Sequence, residues 1–160
     1  MGKRTPYKIA KDKAWKEFSH LIRTRDCIRF GNSLDNGMCV TCKREYPYKE
    51  LQAGHFIGGR GNAVLFDERI VYTQCRGCNV KQPFGKGGNY VEYFVFMEEE
   101  WGRDMIDEFR KLKHQVVKFK KHDLDEMRED FIKRRKQMIK EFKAKKDWQT
   151  ISTYVQLYVP

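Results

Sequence analysis

The chain has no run of about 18 apolar residues, the length that would point to a helix spanning a bilayer. Its first residues, MGKRTPYKIAKDK, lack the apolar stretch of a secretory signal. These two absences predict a cytoplasmic protein with no membrane partner. No internal repeat is present, and no low-complexity tract beyond lysine- and arginine-rich clusters, which sets aside solenoid architectures. Acidic side chains are in deficit, 22 against 33 lysines and arginines, leaving a net charge of +11 and a pI near 9.5. That deficit says little about fold but favours an anionic partner, nucleic acid above all. Cysteines number five, and in a basic chain without a secretion signal they read as thiols or metal ligands before disulfides.

With 160 residues, 40% hydrophobic and 34% charged, the chain suits one ordinary domain or a small domain with helical additions. Pattern and charge divide it into three parts. Residues 1–35 form a basic arm and helix. Ala14, Trp15, Phe18, Leu21 and Ile22 recur at helical spacing between Lys11 and Arg25, and residues 1–25 carry eight basic and two acidic side chains, net +6. Residues 36–88 form a metal module. Leu51–Ile57 and Val64–Thr73 read as two strands around a glycine-rich loop at 58–62, and a knuckle and short helix follow, ended by Pro83 and Gly85, Gly87 and Gly88. Residues 89–160 form a basic helical region. Asn89–Trp101 and Arg103–Lys113 are separated by Gly102, and a long helix starts at a capping-box-like Asp123-Leu-Asp-Glu126. Leu124, Met127, Phe131, Met138 and Phe142 mark its buried stripe, and Ile151–Val159 alternates as a short strand would. Residues 103–146 carry 16 basic and nine acidic side chains, net +7.

The strongest chemical signal is two C-x-x-C pairs, Cys39–Cys42 and Cys75–Cys78. Each holds two thiolates on one zinc through a tight turn, and four cysteines make a closed, structural site with no open position for catalysis. The segment offers few large apolar side chains, so zinc is expected to stabilise it. The fifth, Cys27, reads as a small buried hydrophobe. His55 lies at the end of the first strand, and Asn79 directly follows the second pair, where a helix begins. In a treble-clef arrangement, a hairpin packed on that helix, the two face one cleft. His55 there can take a proton from water, and the Asn79 oxygen can ligate a hard divalent cation.

These residues resemble a known family. Cys39-x-x-Cys42, Gly54-His55-Phe56 and Cys75-x-x-Cys78-Asn79 look like the zinc-bound branch of HNH (ββα-metal) nucleases. Lys13-Ala-Trp15, Phe18-Ser19, Arg25-Asp26-Cys27, Leu51-Gln-Ala-Gly-His-Phe56, Gly59-Arg60 and Val64-Leu-Phe-Asp-Glu-Arg69 are similar to the lambda-phage NinG (Rap) recombination endonucleases, which act on Holliday junctions and D-loops. The resemblance implies an α+β fold with an HNH core and hydrolysis assisted by one Mg2+ or Mn2+, with His55 as general base and Asn79 as ligand. It also implies a host-cell cytoplasmic location if a phage encodes the chain.

Two positions depart from the HNH pattern. Gly54 stands where many such enzymes place an acidic ligand before the histidine, and Ile70 stands where an asparagine is usual. Asp67, or else Glu68, is the candidate replacement carboxylate. Arg60 in the glycine loop and Lys133, Arg134, Arg135 and Lys136 on the last helix are candidate phosphate contacts. Paired cuts across a junction would call for a homodimer.

Other readings stay open. His55 can satisfy a hairpin carbonyl, Asn79 can cap a helix, and a charge run can be a solvated face. The whole can be a non-catalytic zinc-knuckle DNA-binding protein, or a nuclease for ordinary duplex DNA.

Overall fold

The computed structural model describes residues 5–59, 61–80 and 85–158, with side chains through 146. The first helix, α1 (Pro6–Gly31), is longer at both ends than its apolar stripe indicates. Thr5 caps it by accepting from the Lys8 amide, and Pro6 fills its first turn, where no amide partner is needed. Asn32 ends it in the left-handed conformation, φ 45°, which asparagine tolerates better than most residues. Ala10, Ala14, Phe18, Leu21 and Ile22 form its buried face.

Two small antiparallel hairpins follow. Strands β1 (Asn36–Met38) and β2 (Glu45–Pro47) flank the first cysteine pair. Strands β3 (Leu51–His55) and β4 (Val71–Cys75) pair in a register that sets Leu51 opposite Cys75 and His55 opposite Val71. The expected second strand, Val64–Thr73, is corrected in part. Asn62–Leu65 forms the helical turn α2, and the strand begins only at Val71. The Gly61 carbonyl accepts from both Val64 and Leu65 amides, so this buried apolar run closes a turn. Periodicity alone does not separate a short buried strand from a helical segment. The second cysteine pair spans the end of β4, Cys75, and one helical turn, α3 (Arg76–Asn79), which carries Cys78. Pro83 lies outside the described residues.

Helices α4 (Tyr90–Trp101) and α5 (Arg103–Leu112) are divided, as expected, by Gly102 at φ 77°. Helix α6 (Lys121–Tyr158) starts two residues before the expected cap. Asp123, in its first turn, reaches back to the Lys120 amide at 2.6 Å, half of a capping box. The expected strand at Ile151–Val159 is corrected: α6 continues through Tyr158, and Val159 lies outside the described residues. Among the described residues, no helix is long and apolar enough to cross a membrane.

The three parts read from charge share one core. Phe18, Leu21 and Ile22 of α1 meet Tyr72 of β4, Phe96 of α4, Phe109 of α5 and Phe131 of α6. A polar clamp fixes α1 to the second hairpin. Arg25 donates to the Glu68 and Val71 carbonyls, both at 2.8 Å, and to buried Asp26 at 2.7 Å. Asp26 in turn accepts from the Thr73 amide at 2.8 Å. Cys27 is fully buried, and burial pushes its thiol up to about 11, which fits an inert packing role. It fills the space beside Gly37, where an added Cβ would lie 2.4 Å from its sulfur.

Removing one partner of a buried ion pair leaves the other uncompensated. Asp26→Ala should therefore lower unfolding free energy by about 3 to 5 kcal/mol in denaturant titration. A loss within the range of an ordinary surface substitution would show that the clamp is not what holds α1 to the hairpin.

Candidate active site and cysteine cluster

The two C-x-x-C turns bring four cysteines together. Their sulfurs all lie within 4.8 Å of one another, with Cys42 and Cys75 4.0 Å apart. A tetrahedral zinc with bonds of about 2.3 Å would set sulfurs about 3.8 Å apart, so the four can bind a metal such as zinc. The first turn is tight because Lys43 takes a left-handed φ of 57°, letting its amide bond the Cys39 carbonyl at 2.8 Å. In the second, Cys75 ends β4 and caps α3, while the Gly88 amide closes over the Cys78 carbonyl at 2.8 Å.

Burial opposes thiolates here and pushes Cys78 up to about 12. At Cys39 burial acts the same way, but the Thr41 hydroxyl and backbone amides of Cys42, Cys75 and Thr41 bring the thiol down to about 7. A cation among the four sulfurs would favour the ionised form at every one of them.

Beside the cluster opens a cleft of about 600 Å³ that holds both His55 and Asn79, with Trp15, Arg23, Lys49 and Gln52 in its walls. The His55 ring stacks on Trp15 of α1, centroids 5.0 Å apart. Its Nε2 lies 3.1 Å from the Leu65 carbonyl oxygen. A carbonyl only accepts, so Nε2 carries a proton, and in the uncharged ring the lone pair is on Nδ1. The carbonyl contact and a base role are therefore compatible, because each uses a different nitrogen. Asn79 ends α3 and does not cap it. Its Nδ2 donates to Gln52 Oε1 at 2.8 Å, which leaves Oδ1 as the acceptor.

Other expected residues lie elsewhere. Asp67 is outside this cleft: it lines a separate groove with Phe119 and Met127, and its carboxylate chelates Arg69 at 2.6 and 2.9 Å. The reason is the late start of β4, which leaves residues 66–70 in a turn. Glu68 pairs with Arg134 at 2.7 Å. Arg134 also meets Asp130, and Arg135, half-buried, stands 3.9 Å from Glu17, so both arginines tie α6 to its neighbours. Lys133 and Lys136 are exposed. Arg60 lies outside the described residues. Ile70 belongs to the core, and its carbonyl accepts from the Phe56 amide at 2.8 Å.

Sequence reading missed Arg23, Lys49 and Gln52 as cleft residues. Arg23 is one of the eight basic side chains of residues 1–25, and nothing in the pattern distinguishes it from the others. A larger concavity of about 730 Å³ beside Phe56, Tyr90 and Phe94 is lined mainly by apolar side chains. Of the other histidines, His20 is held below its usual pKa by burial and by Arg23, and its Nδ1 lies 3.0 Å from the Tyr48 hydroxyl. His122 pairs with Asp123 on the surface.

The tautomer is directly measurable. Long-range ¹H–¹⁵N correlation spectra, taken at a pH where the His55 ring is uncharged, should show it protonated at Nε2, with an unprotonated Nδ1. A ring protonated at Nδ1 alone would contradict the bond to Leu65.

No curated protein sequence and no solved structure showed significant similarity to the chain. The profile of the family described as Bacteriophage Lambda NinG protein matches residues 3–145. That span runs from before α1 into α6 and takes in the four cysteines, His55 and Asn79, so the chain belongs to the bacteriophage lambda NinG protein family.

Proposed function

We propose that this chain is a metal-dependent endonuclease of the HNH class that hydrolyses phosphodiester bonds in branched DNA. The observation that carries the reading is the meeting of His55 and Asn79 in one cleft with two cationic side chains, Arg23 and Lys49. Cys39, Cys42, Cys75 and Cys78 would hold a structural zinc, which fixes the wall carrying Asn79.

His55 takes the proton of the attacking water on Nδ1, while the Leu65 carbonyl and the Trp15 face hold the ring in orientation. Asn79 offers its Oδ1 to a hard cation, Mg2+ or Mn2+. When bound, such an ion stabilises charge developing on the phosphate and on the leaving 3′ oxygen. Arg23 and Lys49 favour the phosphate in the cleft by charge. Basic side chains at both ends of the chain suit a substrate with several duplex arms, and paired cuts would use two copies of the chain.

One observation favours a rival. Among the described residues lining the cleft there is no carboxylate, which suits a non-catalytic zinc-knuckle protein that grips junctions.

Incubation with a labelled four-way junction and a linear duplex of the same sequence, in Mg2+, Mn2+ or EDTA, separates these readings. The wild type should cut the junction preferentially and only with the divalent ion. His55→Ala should slow cleavage by about 10²- to 10⁴-fold and keep junction affinity within a few-fold. Tight junction binding with no cutting in any metal would favour the rival, and equal cutting of both substrates would favour an ordinary duplex nuclease.

The grip is tested separately. Since Arg134 and Arg135 are engaged within the chain, Lys133→Ala with Lys136→Ala should flatten the dependence of log affinity on log salt by about 2. An unchanged slope would place the phosphate contacts elsewhere.

A further inference from the structure

Gln74 is a fully buried polar residue on β4, and half of its amide is satisfied. Its Nε2 donates to the Gly88 carbonyl at 2.7 Å and to the Thr41 hydroxyl at 3.3 Å. Since the Gly88 carbonyl can only accept, the amide cannot be turned around. Its Oε1 therefore points the other way, buried and without a hydrogen-bond partner among the described residues.

That oxygen points at Gly54. An ideal Cβ on Gly54 would fall 2.1 Å from Gln74 Oε1 and 3.0 Å from Asn79 Oδ1. Asn79 uses its own Nδ2 on Gln52, so the atom it presents to this space is also an acceptor. Two amide oxygens thus converge beside the Gly54 α-carbon, that of Asn79 from the wall of the His55 cleft and that of Gln74 from the buried side. Two acceptors facing one point call for a donor or a cation between them. A side chain at residue 54 would displace Gln74.

We propose that Gln74 is a second oxygen ligand, alongside Asn79, for a divalent cation in this cleft, and that Gly54 lacks a side chain so that the two amides can meet. The inference rests on the endonuclease reading and deepens it. The site then has two neutral oxygens and no carboxylate. Such a pair holds a hard cation weakly on its own, because affinity follows ligand charge. The two amides hold Mn2+ on their own only at high concentration, and the substrate phosphate adds negative charge that tightens it.

The test is a titration of the zinc-loaded full chain with Mn2+ alone, read by the electron paramagnetic resonance signal of free Mn2+. Mn2+-induced broadening of the Asn79 side-chain amide resonances gives a second reading. Gln74→Met should weaken Mn2+ binding about tenfold or more and move the broadening to correspondingly higher Mn2+, with zinc content retained and the thermal midpoint lowered by loss of the bonds to Gly88 and Thr41. Gly54→Ala, whose methyl would fall against Gln74 Oε1 where the two amides meet, should weaken Mn2+ by about tenfold. If both variants titrate like the wild type while Asn79→Ala loses Mn2+, the divalent site stands and Gln74 merely faces a bridging water, which overturns the inference. If the wild type itself takes up no Mn2+, the inference and the divalent site fall together. Should Gln74→Met fail to fold, Gly54→Ala decides: weaker binding supports the proposal, and unchanged binding overturns it.

Discussion

Four thiols crowded within 4.8 Å of one another are a poor arrangement without a cation, since burial opposes ionisation and neutral thiols attract one another weakly. The rest of the cleft is built on this arrangement. Cys75 is at once the last residue of β4 and the cap of α3, and Asn79 follows Cys78 directly. Wherever the cluster sets α3, it sets the Asn79 amide. The opposite strand of the same hairpin ends in His55. His55 and Asn79 thus sit on two elements joined through the cysteines, and their relation is as rigid as the cluster.

A second constraint comes from α1. Charge alone presents this helix as a basic arm, yet its buried stripe enters the core and its Trp15 ring lies against His55. The Arg25–Asp26 clamp fixes it to β4 and the preceding turn. A histidine held between an aromatic face and a carbonyl has few rotamers left to lose, which is what the proposed base role would require. The helix that supplies positive charge also forms a wall of the cleft.

The features legible in the sequence are those whose spacing is local. Two C-x-x-C turns announce themselves because each turn geometry is contained within four residues. Gly102 divides two helices because only its backbone takes the required angle cheaply, and the buried face of α1 repeats every three to four residues. What stayed hidden depends on distant pairing. Asp67 fell outside the cleft because Val64 and Leu65 close a helical turn, a choice their apolar character does not reveal. Arg134 and Arg135 read as a phosphate-binding run, but each meets a carboxylate from another element. Gln74 could not be singled out, since its place beside Gly54 follows from the strand register and from the Gly88 carbonyl that orients its amide.

The dependence of the cleft on its cysteines can be tested without any substrate. X-ray absorption at the zinc edge, on folded chain purified without added metal, should show one zinc per chain ringed by four sulfurs at about 2.3 Å. Chelation of that zinc should unfold the hairpins, since binding and folding are coupled at such sites. A folded, reduced preparation holding no zinc, or zinc bound through nitrogen and oxygen, would contradict the account at its foundation.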